Sequence, residues 1–286
     1  MKLVRFAPSS DAALRPGIVV DEDVYDIGAQ FPDLRSFLSR FPDGWNRRDV
    51  NLADLPKHPL RSVRLGPPTD EASQLYLVGA NYKQHAEEAG LDVPAQPVIF
   101  QKPPGALVGP FESIEIPSIS TQMDYEGELA VVIGRAAHKV RAADAARYVA
   151  AATIVNDTTA RDLQWVNLGK HRIVDWFSSK CLARSSPIGP WLVSAAEIGD
   201  PHRLRLKTEL NGTVMQDADT SLMVFNVWQL IEFASARVPL QPGDVISTGT
   251  PFGVGGFRKI FLKEGDVLRV EIAGIGVLHN PVKQAQ

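Results

Sequence analysis

Apolar and polar positions along this chain change places in short runs, and only a few stretches repeat every three or four residues. Lys2–Phe6, Gly17–Val20 and Val24–Ile27 are short apolar runs parted by polar turns. Leu204–Leu210 alternates cleanly and ends at Asn211-Gly212, the strongest short hairpin signal in the chain. The runs Gln74–Gly79, Pro97–Pro103, Leu129–Gly134 and Thr153–Asp157 read as further strands. Helical spacing is confined to Leu34–Ser39, Asn81–Gly90, the alanine-rich Arg141–Ala152 and the amphipathic Val224–Ala236. In the last of these, Phe225, Trp228, Leu230, Ile231 and Phe233 are expected in the core. Val166–Phe177 reads as a loop over the site. Many short strands, few helices and frequent Gly and Pro turns predict an α+β, mainly β fold. The proline-rich Pro56–Pro59 and Gly66–Asp70 suggest a boundary between a small β-rich N-terminal accessory unit, 1–70, and a main domain, 71–286.

Composition narrows the class. A chain of 286 residues can bury a sizeable core, and 44% hydrophobic with 22% charged residues is ordinary for a globular protein. The net charge of −3 suggests neither nucleic acid nor an anionic membrane as partner. The single Cys181 excludes an internal disulfide framework and a cysteine-rich zinc site. Without a membrane-length apolar run or a signal-peptide pattern, the expected location is cytoplasmic.

The candidate chemistry centres on Met123–Gly134. Successive strand side chains point to opposite faces, so Glu126, Glu128, Ala130 and Val132 share one face. Two carboxylates that close, half-buried, repel and lose hydration, and a divalent cation would compensate them. The other reading is an exposed strand end with both glutamates in water. Asp157, at the end of Thr153–Asp157, adds a third carboxylate. Such an all-oxygen set favours Mg²⁺, Mn²⁺ or Ca²⁺ over zinc or copper. His85 and Glu88 are three apart in a helical stretch and can touch, either as a general base with its orienting carboxylate or as an ordinary surface pair. Lys102 could meet a substrate carboxylate or extend to solvent. Arg161 and Gln164 could project near Asp157 and bind a carboxylate and a carbonyl, or serve as an ion pair and a cap. Thr248–Gly256 is glycine-rich but fits neither dinucleotide nor phosphate-loop spacing.

The segments Tyr125–Gly134, Asn156–Trp165 and Ser247–Gly255 together resemble the fumarylacetoacetate hydrolase family, with the likeness running from about Leu75 to Val282. The resemblance implies a mixed β-sandwich roll, a homodimer, Mg²⁺ or Mn²⁺ at the three carboxylates, and a small oxo-acid substrate. It implies that His85 and Glu88 are catalytic and that Tyr82 contacts substrate, through the motif Asn-Tyr-x-x-His-x-x-Glu. It adds Lys180 as an electrostatic aid, Arg161 and Gln164 as site-lining residues, and Gly249 and Thr250 as contacts for a substrate carboxylate. Ser179, Leu182 and Ala183 replace the glycine, aromatic and aspartate usual around that lysine, and Arg184 could supply a different anion contact or lie on the surface. The implied reaction is hydrolysis of an acylpyruvate-type 2,4-dioxo acid. Decarboxylation or tautomerisation of a related oxo acid and a non-catalytic binding role stand as alternatives.

Overall fold

A computed structural model describes residues 1–285. Its main element is a sheet of 12 strands. Ten of them lie across it in the order Lys57–Pro59, Asp23–Asp26, Arg15–Val20, Lys2–Ala7, Ser186–Ser194, Val149–Asn156, Gly127–Ile133, Val245–Ser247, Leu75–Gly79 and Val98–Lys102, and Arg64–Leu65 and Leu107–Val108 branch off it beside Lys2–Ala7 and Ser186–Ser194. A second sheet of five strands, Thr213–Asp219, Arg205–Leu210, Val267–Ile272, Gly276–Gln284 and Ile114–Ile116, packs against it.

The central strands Gly127–Ile133 and Val149–Asn156 are buried at every position, because both faces of the main sheet are covered. On one face Leu129, Val131 and Ile133 meet Leu206, Val270 and Leu278 of the second sheet and the helix Val227–Ser235. On the other, Ala130, Val132 and Leu77 meet Leu34 and Phe37 of the helix Leu34–Arg40, together with Trp45. Asn226 and Gln229 close a reciprocal capping box at the start of Val227–Ser235, satisfying end N–H groups that a half-buried helix cannot leave to water.

The N-terminal strands, expected as an accessory unit, are built into the main sheet. Lys2–Ala7 pairs with Arg15–Val20 on one side and Ser186–Ser194 on the other, and Leu3 and Ile18 share a core with Leu75 and Ala130.

Two local expectations change. Arg141–Ala152 forms a 3₁₀ turn over Ala142–Tyr148 and then enters the strand Val149–Asn156. Strand partners on both edges and burial between two cores override the helix preference of Ala150, Ala151 and Ala152. The expected loop Val166–Phe177 is a hairpin, Trp165–Leu168 paired with His171–Val174, followed by the short helix Trp176–Lys180. Its turn uses Gly169 at a left-handed φ of 62°. The Asn211-Gly212 hairpin forms as expected, both residues at positive φ. Among the described residues no helix is long and apolar enough to cross a membrane.

Candidate active site

Three carboxylates meet because two strands pair in one register. Gly127 stands opposite Asn156, so Glu126, just before one strand, and Asp157, just after the other, are neighbours. The Asp157 N–H donates to the Glu126 carbonyl at 2.8 Å. Glu128 follows on the same face as Glu126, and the three residues offer ligand oxygens within 4.8 Å of one another, all buried. Gly127 between the glutamates faces the second sheet. A Cβ there would lie 2.4 Å from Thr208 Oγ1 and 2.9 Å from Val270 Cγ1, so the sheet packing requires glycine.

Cations crowd this floor. Lys180 Nζ donates to Glu126 Oε2 at 2.7 Å and Asp157 Oδ2 at 2.6 Å. Arg161 donates through Nη2 to Glu126 Oε1 at 2.5 Å and through Nε to Asp124 Oδ2 at 2.7 Å. Burial alone would raise the Glu126 carboxyl, but Lys180, Arg161 and His85 hold it well below the carboxylate range. Burial would lower Lys180, yet the charges of Asp157 and Glu126 raise it, so it stays an ammonium. Glu128 has no cation bonded to it, and Lys180 acts on it only at longer range. Ser247 Oγ donates to it at 2.5 Å and the Gly249 N–H at 3.0 Å. Burial, then the charges of Asp157 and Glu126, push its carboxyl well above the usual range.

His85 lies on the short helix Lys83–Glu88, and its ring faces Phe257 edge-on at 6.0 Å. Its Nδ1 is 3.7 Å from Glu88 Oε2, wider than a hydrogen bond but close enough for attraction. The Gly253 N–H donates to Glu88 Oε2 at 3.0 Å and anchors that carboxylate. Burial would raise Glu88, but the attraction of His85 and the hydrogen bond from the Gly253 N–H hold it low, so it is ionised beside the imidazole.

A cavity of about 550 Å³ opens above the floor. His85, Glu126, Asp157, Arg161, Gln164, Lys180 and Thr250 line it together. Gln164 Oε1 accepts from Arg161 Nη1 at 3.4 Å. Thr250 reaches the cavity with a hydroxyl already engaged, donating to the Gly127 carbonyl at 3.0 Å and accepting from Gln216 Nε2 at 2.8 Å.

Three residues lie elsewhere than expected. Lys102 neither lines the cavity nor reaches solvent. It is buried beneath Asp157, 2.6 Å from Oδ1, and donates to the Thr158 carbonyl at 2.8 Å and Ser186 Oγ at 2.5 Å. Its strand ends beneath the carboxylate floor, so the ammonium pairs with Asp157 from below instead of entering the cavity. Gly249 turns its N–H to Glu128, leaving nothing for a substrate carboxylate. Tyr82 is buried behind the cavity, its phenol pushed up by burial and then by Glu128. Arg184, for which an anion contact and a surface place both stood open, lies on the surface and pairs with Glu115 at 2.8 Å, away from the cavity.

Asp124, Ser247 and Gln216 went unread in the sequence. Asp124 is fully buried and accepts from the N–H groups of Gly255 at 2.7 Å and Gly256 at 2.8 Å, as well as from Arg161. Its partners on the glycine loop stand more than 130 positions away, so no local pattern marks it.

Residues 74–283 match the profile of the fumarylacetoacetate (FAA) hydrolase C-terminal domain. The chain belongs to the fumarylacetoacetate hydrolase family. It is 42% identical over 291 residues to a mitochondrial oxaloacetate tautomerase of Bos taurus, covering 99% of this chain and 91% of that one. The structure superposes on a fumarylacetoacetate hydrolase of Exiguobacterium antarcticum with a TM-score of 0.82, 35% identity and full coverage of both chains. It also matches a maleylpyruvate hydrolase of Sphingobium sp. SYK-6, solved with manganese(II) and pyruvate, at TM-score 0.80 and 29% identity, again with full coverage.

Enzymes of this family use divalent metals, and the donors here fit one. The set is all carboxylate, which selects hard cations. Glu126, Glu128, Asp157 and Asp124 face Lys180, Arg161 and Lys102, so the fully ionised floor keeps an uncompensated negative charge. That deficit sits at Glu128, where a divalent ion would supply the missing positive partner.

Proposed function

We propose that this protein is a hydrolase of 2,4-dioxo acids of the acylpyruvate type that uses Mg²⁺ or Mn²⁺ and releases pyruvate and a carboxylic acid. The observation that carries this reading is the placing of His85 across the cavity from the carboxylate floor, with Glu88 anchored beside it by Gly253. When bound at Glu126, Glu128 and Asp157, the divalent ion would polarise the substrate's carboxylate and 2-oxo group.

The chain's own residues then have distinct tasks. Lys180 and Arg161 are held cationic and line the cavity, ready to meet the negative charge that develops on the pyruvate half. Gln164 offers an amide to a carbonyl. His85 takes a proton from water, and the hydroxide adds to the 4-oxo carbon. The C3–C4 bond breaks with its electron pair left on C3, and the proton from the water is returned there. Glu88, ionised and fixed, favours the imidazolium that forms between these events.

A second reading rests on the bovine relative, named as an oxaloacetate tautomerase. It keeps the floor and needs no attacking water. A panel of acylpyruvates and oxaloacetate, followed by enol absorbance with Mg²⁺, Mn²⁺ or EDTA, separates the two. Hydrolysis predicts loss of the acylpyruvate signal, matched by pyruvate release and abolished by EDTA. Turnover of oxaloacetate alone would install the second reading. His85→Ala should lower kcat for hydrolysis by about 10²- to 10⁴-fold, the usual worth of a general base, while Mn²⁺ binding by calorimetry stays as in wild type. Full hydrolysis in that variant would remove His85 from the mechanism.

A further inference from the structure

The cavity has two unlike halves. Above the charged floor its walls are apolar and largely aromatic: Phe100, Trp176, Val98, Trp165, Val174 and Phe257. Phe100 and Trp176 stack with centroids 4.4 Å apart and planes 4° from parallel. Trp176 packs over Gly79, where a Cβ would lie 3.5 Å from its ring. Asp175 caps the helix on which it stands.

The opposite wall is the hairpin of Trp165–Leu168 and His171–Val174. Trp165 stands opposite Val174 and Asn167 opposite Arg172, which puts these four on one face. Trp165, Arg172 and Val174 from that face line the cavity, while Val166 and Ile173 from the other face do not. Leu91, Val98, Trp165 and Phe257 all belong to the exposed large hydrophobics, and all rim this cavity. Apolar surface gathered around a pocket mouth is the mark of a ligand groove. The Arg172 guanidinium carbon lies over the Trp165 ring, 4.6 Å from its centroid, and helps hold that ring in place.

We infer that this upper half is a subsite for a flat, uncharged apolar group, an aryl or conjugated carbon chain, attached to the 2-oxo acid that the floor holds. The inference deepens the hydrolase reading and rests on its placement of the 2-oxo acid head. A four-carbon diacid would fill the floor and leave the aromatic walls wet. An aryl group would cover them, and contact with aromatic walls rewards a planar ring.

The test is calorimetry on the full-length, Mn²⁺-loaded protein with unreactive 2-oxo acids. Pyruvate serves as the bare head, 4-phenyl-2-oxobutanoate as the aryl probe and 2-oxoglutarate as the charged control. The aryl probe should bind about 10- to 100-fold more tightly than pyruvate, as burial of one ring implies. Trp165→Ala should erase most of that gain and leave pyruvate binding unchanged, while Ile173→Ser on the hairpin's other face should change neither. The subsite is overturned if the aryl probe gains nothing, if 2-oxoglutarate binds more tightly, or if Trp165→Ala is silent. Pyruvate binding without an aryl gain would remove the subsite alone. Failure of both to bind would take the head-group placement with it.

Discussion

Glu128→Gln should bind Mn²⁺ at least about 100-fold more weakly than wild type, since loss of a direct ligand should exceed the upper range for losing a partner that merely orients one. The metal-free variant should nevertheless unfold at a higher temperature than the metal-free wild type. Both results follow from the imbalance at Glu128, which is buried against Asp157 and Glu126 with only a hydroxyl and an N–H to receive its charge. Its folded carboxyl titrates above its unfolded value. The stability that its protonated form contributes is therefore present at acid pH and lost as pH rises through the folded titration. The amide removes that loss. Excess Mn²⁺ reverses the ranking, because wild type gains about 2.7 kcal/mol at a hundredfold excess over Kd and the variant gains little. Melting curves with and without Mn²⁺, near neutral pH, read both halves. Equal Mn²⁺-induced shifts in the two proteins would take Glu128 out of the ligand set.

Asp124→Ala should be the most damaging single change outside that set. The fully buried carboxylate receives the Arg161 guanidinium and the N–H groups of Gly255 and Gly256. Removing it strands those donors and leaves Arg161 a partner short, at a cost of about 3–5 kcal/mol for a broken buried ion pair. Activity should fall further than stability, because Arg161 reaches Glu126 and the glycine loop carries Phe257 into the cavity. Asp124→Asn keeps one acceptor oxygen and should restore part of the stability. Urea unfolding gives the first quantity and kcat/KM on a folded sample the second. Wild-type values for the alanine variant would show that the carboxylate positions nothing.

These two residues mark what the sequence could and could not disclose. Glu126 and Glu128 were legible because strand geometry is periodic: two carboxylates two apart on a buried run must share a face. Asp157 was legible as a strand end, though its meeting with the glutamates depends on the Gly127 and Asn156 register, which only pairing sets. Asn211-Gly212 disclosed its hairpin because both positions need positive φ. Lys102 was misplaced because periodicity says which face a side chain takes and not what lies beyond it, here Asp157, Thr158 and Ser186. The alanine run misled for a related reason: small residues serve a strand squeezed between two cores as well as they serve a helix. Asp124 could not be read at all, since its role exists only once distant loops converge on it.

The insertion of Lys2–Ala7 between Arg15–Val20 and Ser186–Ser194 bears on how the molecule melts. The family profile spans residues 74–283, but the cooperative unit is wider, because the strand Ser186–Ser194, which pairs with Val149–Asn156, has its outer edge closed by the chain's first strand. Recognition by likeness and autonomy in folding therefore have different borders here. Heating should find one calorimetric transition, with amides of Leu3 and Ile18 exchanging in step with those of Leu129 and Val155.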